Sequence, residues 1–419
     1  MRHSAASIGA KIILYRETIK HMSPNNNKNK RGVETASDPF LTRLLEFFEQ
    51  RRDSIVETIC ELVEIESPSD DKVACDRIGQ VLAVKFGKLG AKITRHKSAQ
   101  FGDHLQAAFE SKNPGNPMLL LGHMDTVYSI GTLSRMPCRI SDGKLYGPGV
   151  FDMKSGIALM IFAIEALLQI DGALPGNVNV LLVSDEEIGS GSSRKITENL
   201  ARQSRAVLVL EPAAGADGSV KTARKGVGEY TMRVTGVSAH AGLDPGKGHS
   251  AIVELARQIE RITKLNDLTR GLSVNVGVIR GGTRSNVVPA EASADIDVRI
   301  ARARDARSID RKLRSMKVVN RHCKLEVSGG INRLPMERTK GVAAIYEKAQ
   351  AIAKNLGWQL GEAAVGGGSD GNFTAGMGIP TLDGLGGVGE GAHAIHESIV
   401  INELPRRAAL LAGLLKDLS

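Results

Sequence analysis

The chain has 419 residues, of which 42% are hydrophobic, 4% aromatic and 24% charged, and its formal net charge is +9 at pH 7. This length exceeds what one ordinary core fills, so we expect two domains. Seven basic residues and one glutamate lie in the first 33 residues, which places much of the excess charge in the amino-terminal segment. No nucleic-acid recognition motif accompanies that charge, and no uninterrupted apolar run reaches the roughly 18 residues of a membrane span. We therefore expect neither nucleic acid nor membrane as a partner.

The amino-terminal segment and the cysteines bear on location more than on fold. Residues 1–37 include the Asn/Lys-rich run Asn25–Arg31, whose composition cannot support a core and predicts a disordered tail. The four cysteines are widely separated: Cys60, Cys75, Cys138 and Cys323. They form no C-x-x-C pair, which is typical of thiols in a reducing compartment. We expect a cytoplasmic protein, while the basic tail leaves export or a transit peptide open.

Helical patterns begin near Asp38. Asp38 followed by proline is a favourable helix start, and apolar residues then recur at helical spacing as far as Val63. A proline between two serines at residues 67–69 ends this predicted helix. A second amphipathic helix is predicted over residues 72–89. A third, over Ser155–Ile170, is apolar on nearly all sides, so we expect it in the centre of the protein.

Three short apolar runs predict parallel strands that are buried on both faces. These runs are Met118–Leu121, Val178–Val183 and Ala206–Leu210. Each is followed at once by side chains suited to chemistry: His123 and Asp125, then Glu186 and Glu187, then Glu211. In open α/β sheets functional groups collect beyond the carboxyl ends of the strands. The pattern therefore predicts that these side chains share one edge of a mostly parallel sheet.

Two further candidates lie in glycine-containing segments. Asp152 falls in a loop just ahead of the apolar helix, and His393 lies near the carboxyl terminus with His396 as a competing ligand. Taken singly, such residues are more often turn residues, solvated acidic loops or surface histidines. Together, the candidate ligands supply two imidazoles and three carboxylates: His123, Asp152, Glu187, Glu211 and His393. Two adjacent zinc ions sharing a carboxylate need this set, and Glu186 remains as a base, which predicts metal-assisted hydrolysis.

The pattern changes between residues 222 and 330. Alternating segments predict strands, and segments with helical spacing predict helices, in the order β-α-β-β-α-β. The strands are predicted over 229–237, 273–279, 292–300 and 325–328, and the helices over 250–263 and 305–316. This order predicts an α+β domain with helices on one face of an antiparallel sheet. The expected fold class is α/β. A mostly parallel-sheet hydrolase domain, residues 38–221 plus 331–419, is interrupted by an inserted α+β domain at 222–330.

As a set, the motifs resemble the co-catalytic di-zinc exopeptidase and deacylase family. That family includes glutamate carboxypeptidase, succinyl-diaminopimelate desuccinylase and aminoacylase, and the chain resembles the glutamate carboxypeptidase branch most. The matching segments are Gly122–Val127, Tyr146–Gly156, Ser184–Gly189, Leu210–Pro212, Gly236–Gly242, Gly281–Pro289, Gly366–Asp370 and Gly391–His393. The resemblance runs from about Asp38 to the carboxyl terminus.

The resemblance implies a role for each candidate at the metal centre. His123 and Glu211 would hold one zinc ion, and Glu187 and His393 the other. Asp152 would bridge both ions and precede a cis peptide bond to Met153. Asp125 would orient His123, and Glu186 would be the general base. Cobalt or manganese are possible substitutes for the two zinc ions per subunit.

Further roles implied by the resemblance concern the substrate and a second subunit. The inserted domain would act as a lid and as the surface of a homodimer, and His240 would reach the site of a partner subunit to stabilise the oxyanion. The substrate would be bound by Asn286, Arg299, Gly367, Gly368 and Ser369. Arg299 and Arg333 carry guanidinium groups that suit a carboxylate, although Arg302, Arg304 and Arg307 beside Arg299 resemble a solvated face.

The expected reaction is cleavage of the amide bond to a carboxyl-terminal amino acid, with glutamate as first choice. Two zinc ions roughly 3.5–4 Å apart would lower the pKa of a bridging water, and Glu186 would accept its proton. An N-acyl-amino-acid deacylase with the same centre is the alternative, since sequence does not separate these reactions. A non-catalytic binding protein is disfavoured because such a protein has no need of Glu186. The segment Asn332–Pro335 matches the family's Arg-Pro stretch loosely, which leaves side-chain selectivity open.

Overall fold

The structure is a computed structural model that describes residues 38–113 and 115–419. The predicted disorder of residues 1–37 lies outside the described residues. The first part of the chain forms helices and strands in this order: α1 (Pro39–Gln50), α2 (Arg52–Val63), α3 (Lys72–Lys88), β1 (Lys92–His96), β2 (His104–Phe109), β3 (Met118–His123), β4 (Arg139–Ser141), β5 (Lys144–Tyr146), α4 (Ser155–Asp171), β6 (Val178–Val183), α5 (Arg194–Arg202), β7 (Ala206–Val209) and β8 (Val220–Arg224).

The second part of the chain is an insertion with its own sheet. Its elements are β9 (Gly226–Thr235), α6 (Ala251–Thr263), β10 (Ser273–Gly281), β11 (Glu291–Ile300), α7 (Ala303–Arg314) and β12 (Lys324–Arg333). The chain then returns through α8 (Lys340–Asn355), β13 (Glu362–Val365), α9 (Gly371–Gly376), β14 (Thr381–Leu382), β15 (Gly389–Glu390), β16 (Ser398–Val400) and α10 (Leu404–Asp417).

The first helical prediction is wrong in one respect, because residues 39–63 form two helices and not one. Asp38 caps α1 as expected, its side chain accepting the N–H of Phe40 at 2.8 Å. At Arg51 the backbone leaves the helical region (φ −100°, ψ 5°), and α2 begins one residue later. The Arg51 guanidinium donates to Glu165 and Gln169 of α4, so a tertiary contact accompanies the break.

The main sheet has six strands in the order β1-β2-β6-β3-β7-β14. The strands β6, β3, β7 and β14 run parallel, while β1 and β2 are antiparallel additions at one edge. All six residues of β3 and all four of β7 are buried. The apolar runs therefore form parallel strands, as predicted, and their carboxyl ends meet at one edge of the sheet.

Helix α4 is the central helix of the main core. Its residues from Ser155 to Ile164 are all buried, and it packs against α2 and α10. The stretch Val150–Asp171, which comprises α4 and the five residues before it, is long and apolar enough to span a membrane, because its 18-residue window has a mean hydropathy of 1.6. However, 78% of that window is buried inside the protein. Its apolar surface is thus used in packing, as in the core helices of other proteins.

The inserted sheet is antiparallel, in the order β10-β11-β9-β12. One face of β11 is buried at every second residue, from Ala292 to Ile300, and packs with α6 and α7 in a separate hydrophobic cluster. Two strands cross the predicted boundaries of the inserted domain at residues 222 and 330. Strand β12 continues to Arg333, and β8 reaches Arg224 while pairing in parallel with β13, outside the inserted sheet. The chain changes from one sheet to the other at Lys225.

Candidate metal centre

The carboxyl ends of the parallel strands carry most of the predicted ligands. His123 is the last residue of β3, Glu187 lies in a short 3-10 helix just after β6, and Glu211 lies two residues after β7. Asp152 lies in the loop before α4, and its peptide bond to Met153 is cis, as expected from the resemblance. His393 lies between β15 and β16 in the left-handed region (φ 63°). The structure brings all five together.

Short distances join these five side chains. His123 Nε2 lies 3.1 Å from Asp152 Oδ1 and 3.5 Å from Glu211 Oε1. His393 Nε2 lies 3.1 Å from Glu187 Oε2 and 3.5 Å from Asp152 Oδ2. The two oxygens of Asp152 thus face different histidines. Asp152 therefore lies between two pairs of ligands, the position that a bridging carboxylate requires.

The donor set fits divalent cations. The ligand atoms of His123, Asp152 and Glu187 lie within 4.8 Å of one another, as do those of His123, Glu186 and Glu211. Glu187 Oε1 is buried and has no hydrogen-bond partner within residues 38–113 and 115–419. Buried carboxylates are costly unless a cation or a hydrogen-bond donor compensates them. Zinc and similar ions bind imidazole and carboxylate ligands. A bound ion would also compensate the unpaired Glu187 oxygen.

Electrostatics at the cluster follow from the excess of carboxylates. Burial alone would lower the pKa of His123, but its contacts with Asp125, Asp152 and Glu211 raise it well above the ordinary value. Hydrogen bonds to Asp152 and Glu187 raise the pKa of His393 to about 10. The raised pKa values show that carboxylates outnumber positive charges in the cluster, and bound metal ions would supply the compensating charge.

Glu186 is the remaining carboxylate of the cluster. Burial raises the pKa of Glu186 well above its usual range, against the opposing charge of Arg333. The Arg333 Nη2 group donates to Glu186 Oε1 at 3.0 Å, to Ser190 Oγ at 2.8 Å and to Asp370 Oδ1 at 3.0 Å. Arg333 Nε is buried and has no partner within the described part of the chain. This guanidinium therefore contacts the candidate base directly and still has a free donor.

Asp125 has a different main contact from the one expected. His123 Nδ1 lies 3.0 Å from the backbone carbonyl oxygen of Asp125 and 3.5 Å from its carboxylate. The carboxylate instead accepts the N–H groups of Glu186 (3.3 Å) and Glu187 (3.2 Å) and the hydroxyl of Ser69 (2.7 Å). Asp125 thus orients the imidazole through its backbone and fixes the Glu186–Glu187 segment through its side chain.

Glu397 has a role that the sequence did not indicate. Its buried carboxylate accepts the backbone N–H groups of Gly149, Phe151 and Asp152 at 2.8–3.0 Å and the Tyr128 hydroxyl at 2.6 Å. These bonds hold the loop that carries Asp152. His396, the competing ligand, is exposed, and no hydrogen bond or ion pair joins it to the cluster within the described residues.

Three predicted residues lie away from the cluster. His240 and Asn286 are exposed and adjacent, since the Ala241 N–H donates to the Asn286 carbonyl oxygen at 3.0 Å. Arg299 forms an ion pair with Asp297 of the same strand, with Nη2 2.9 Å from Oδ2. Among the described residues, no hydrogen bond or ion pair joins any of these three side chains to the metal ligands. The roles expected for them stay predictions.

The predicted glycine turn lies closer to the centre. The carbonyl oxygens of Gly367 and Gly368 accept hydrogen bonds from Arg224, which also donates to Glu211. Ser369 is buried, and its hydroxyl donates to Asp383 at 2.6 Å. The turn is thus connected to a metal ligand through hydrogen bonds that local sequence patterns do not reveal.

Comparison with known proteins agrees with this geometry. Residues 119–417 match the model of peptidase family M20/M25/M40. The chain belongs to this family. The resemblance noted from the motifs is confirmed, and the M20 chain is a metal-dependent hydrolase of the metallopeptidase class.

The relatives of this M20 protein include proteins named as a carboxypeptidase, a desuccinylase and a dinuclear metal-binding peptidase. Carboxypeptidase G2 from Pseudomonas sp. (strain RS-16) is 32% identical over 373 residues, covering 87% of this chain and 89% of the relative. A succinyl-diaminopimelate desuccinylase from Dechloromonas aromatica is 28% identical over 316 residues, covering 71% and 82%. The YXEP protein of Bacillus subtilis, described as a dinuclear metal-binding M20 peptidase, matches in fold with a TM-score of 0.66 and 16% identity, covering 88% and 99%.

Proposed function

We propose that the protein is a di-zinc carboxypeptidase that releases a carboxyl-terminal amino acid, with glutamate as the preferred residue. One observation carries the proposal: four ligands from four separate segments converge around a fifth, Asp152, with Glu186 beside them. A binding protein has no need of that additional carboxylate. The similarity to carboxypeptidase G2 over 87% of the chain supports a peptidase reaction of the same class.

Two pairs of ligands would hold the two ions. His123 and Glu211 would hold one ion, Glu187 and His393 the other, and Asp152 would contact both. When bound, two such cations polarise a substrate carbonyl oxygen and make water easier to deprotonate near neutral pH. Glu397 and Asp125 then keep the ligand-bearing segments in place through the backbone hydrogen bonds described above.

Glu186 is the proposed general base. Its Oε1 is held by Arg333 at 3.0 Å, while its Oε2 makes no hydrogen bond within the described residues. Oε2 is therefore the oxygen available to take a proton from the attacking water and to return it to the leaving nitrogen. The side chain is 13% exposed, so bulk water competes little for this proton.

Arg333 is the proposed site for the free carboxylate of the substrate. Its side chain is 8% exposed, and its Nε is a buried donor without a partner among the described residues. Guanidinium groups bind carboxylates through paired charge-assisted hydrogen bonds, which distinguish an acid from its amide. Arg299, by contrast, is engaged with Asp297. Glutamate as the released residue rests on the resemblance of the motifs to the glutamate carboxypeptidase branch.

The protein is further proposed to act as a homodimer through the insertion. Strand β10 is an edge strand of its sheet, with unpaired backbone groups available to a second copy. Exposed apolar side chains lie on β10 and on the neighbouring helix α6: Ile252, Val253, Val278 and Ile279. His240 and Asn286 are also exposed on this part of the chain, which suits residues that reach a partner's site.

The test of the general base uses Glu186→Gln in the zinc-loaded protein. We expect hydrolysis of N-acyl-glutamate and dipeptide substrates to fall by roughly 10²–10⁴-fold while two zinc ions stay bound. Glu362→Gln, which removes a carboxylate paired with Arg338 away from the ligands, is the control and should keep native activity. Unchanged hydrolysis by Glu186→Gln with zinc bound would refute the assignment, and a native protein inactive on every amide would refute the enzyme.

A second experiment tests the contribution of His240 from a partner. Inactive His240→Ala and Glu186→Gln proteins are mixed and allowed to exchange subunits. If His240 acts across the dimer, random exchange yields about a quarter of native activity, because half of the dimers are mixed and each has one complete site. If His240 acts within its own subunit, no mixed dimer has a complete site and activity stays absent.

An N-acyl-amino-acid deacylase is the second candidate, favoured by the similarity to succinyl-diaminopimelate desuccinylase. The same centre hydrolyses either substrate, because the scissile bond is an amide in both. A panel separates the two reactions: acyl groups are varied on a fixed glutamate, and the released amino acid is varied under a fixed acyl group. A carboxypeptidase discriminates mainly in the second series. Discrimination mainly among small acyl groups would favour the deacylase.

A further inference from the structure

Arg224 places a buried guanidinium beside the metal ligands. It is the last residue of β8, and its side chain is 4% exposed. Its backbone is fixed by two hydrogen bonds with Met336, at 2.9 Å and 3.0 Å. A buried arginine is costly unless all of its donors are satisfied, so its partners show what the side chain is for.

All three nitrogens of the Arg224 guanidinium donate hydrogen bonds. Nε and Nη2 donate to the two oxygens of Asp383, at 2.7 Å and 2.9 Å, in a bidentate pair. Nη2 also donates to Glu211 Oε2 at 3.2 Å. Nη1 donates to the carbonyl oxygens of Gly367 and Gly368, each at 3.2 Å. The guanidinium thus joins a metal ligand, a second buried acid and the glycine turn.

The hydrogen bond from Arg224 to Glu211 determines which carboxylate oxygen of Glu211 faces the other metal ligands. Oε2 is used by Arg224, while Oε1 points to His123 Nε2 at 3.5 Å. A rotation of the Glu211 carboxylate would break the contact with Arg224. Although burial opposes the charge, Asp383 and Glu211 raise the pKa of Arg224, so the guanidinium stays a cation.

The same arginine organises the glycine turn. Asp383 Oδ2 accepts the Ser369 hydroxyl at 2.6 Å as well as Arg224 Nε. Ser369 Oγ in turn accepts the N–H of Gly371 at 3.1 Å, where α9 begins. Movement of the turn therefore requires movement of the Arg224–Asp383 pair, and with it of Glu211.

We propose that Arg224 is a positioning residue that fixes Glu211 for metal binding and connects this ligand to the Gly366–Asp370 turn through Asp383. The inference rests on the proposed function, since it takes Glu211 as a metal ligand. Arg224 itself touches neither substrate nor metal; it acts through Glu211 and the turn. Outer partners of metal ligands commonly change metal affinity by about 10–100-fold when removed.

The test is Arg224→Lys in the full chain, read by metal binding alone. Lysine keeps the charge but cannot form the bidentate pair together with the other three hydrogen bonds. We expect chelator-treated Arg224→Lys to bind one of two cobalt ions roughly 10–100-fold more weakly than the native protein. The visible absorption of the cobalt-loaded protein should also change, because Glu211 is no longer held.

Arg338→Lys is the matched control. Arg338 forms a similar bidentate pair with Glu362, at 2.6 Å and 3.0 Å, but it is exposed and away from the ligands. This variant should keep native cobalt affinity and absorption. If Arg224→Lys fails to fold, the double variant Arg224→Met, Asp383→Leu removes both charges together and should show the same weakened binding.

The outcomes separate this inference from the proposed function. Native cobalt affinity and absorption in Arg224→Lys would overturn the inference, even with a lowered unfolding temperature, because a merely structural arginine affects stability alone. A native protein that binds two ions yet cleaves no amide would overturn the proposed function and leave the role of Arg224 intact. Weaker cobalt binding and changed absorption in Arg224→Lys, with neither change in Arg338→Lys, would support the role of Arg224.

Discussion

Gly156 offers a sharp test of how the core positions Glu211. It is the second residue of α4, and a Cβ atom added there would lie 2.0 Å from the backbone oxygen of Leu210. Leu210 directly precedes Glu211, and its N–H is bonded to the carbonyl oxygen of Leu121 at 3.0 Å. Real Cβ atoms do not approach within 3.0 Å, so Gly156→Ala must move helix and strand apart by about 1 Å.

The expected loss of stability in Gly156→Ala follows from the atoms that must move. Overpacking a well-packed core costs about 1–3 kcal/mol, and the upper part of that range applies because a backbone atom must yield. Gly79→Ala in α3 is the control, since that glycine is also buried and its Cβ would meet the flexible Met124 side chain at an ordinary 3.5 Å. Alanine is the better helix former there by up to about 1 kcal/mol.

The assay is urea unfolding of both metal-free variants, followed by zinc titration. We expect Gly156→Ala to lower the free energy of unfolding by about 2–3 kcal/mol and to weaken zinc binding at least tenfold, as the ligand that follows Leu210 shifts. Gly79→Ala should be as stable as the native protein or more so, with native zinc binding. Equal stability and equal zinc affinity of the two variants would refute the packing argument.

Three further perturbations test other parts of the site. Glu397→Gln should lower the free energy of unfolding of the metal-free protein by about 1–3 kcal/mol, since an amide cannot accept all of the backbone N–H groups that the carboxylate accepts. Tyr128→Phe removes only one donor to Glu397 and should lower this free energy less. A larger loss in Tyr128→Phe than in Glu397→Gln would contradict the assignment. Arg333→Lys should raise KM roughly 10–100-fold for substrates with a free carboxylate but not for their amides, since charge-assisted hydrogen bonds contribute about 1.5–3 kcal/mol. An equal change in KM for the acids and for their amides would refute carboxylate binding by Arg333. Chelation should lower the unfolding midpoint reversibly, since zinc at 100 times its Kd adds about 2.7 kcal/mol, and a midpoint independent of zinc would exclude a folded-state metal site.

Much of the fold is predictable because its strongest signals are local. The apolar runs that became β3, β6 and β7 are buried along nearly their whole length, so their composition alone indicates parallel strands. The break at Arg51 is not predictable in this way. Apolar positions continue in helical phase across it, and the partner of its guanidinium, Glu165, lies 114 residues away.

The candidate site divides along the same line. Ligands such as His123 and Glu187 lie at the end of a strand or a few residues after it, so the strand pattern points to them. Residues that hold the ligands in place have no such signal. Glu397 bonds to backbone groups 245–248 residues earlier, and Arg224 pairs with an acid 159 residues away. Their roles depend on which distant segments the fold brings together, which a single sequence does not state.

The insertion begins and ends at two residues that pair across neighbouring strands, Val227 in β9 and Arg333 in β12. Paired residues on adjacent antiparallel strands have Cα atoms about 5 Å apart, a gap that a short turn closes. The segment between them is therefore a cassette that can be excised without stretching the remaining chain. All five candidate metal ligands lie outside this segment. A shortened protein of this kind would therefore allow the ion affinities to be measured in the absence of the insertion.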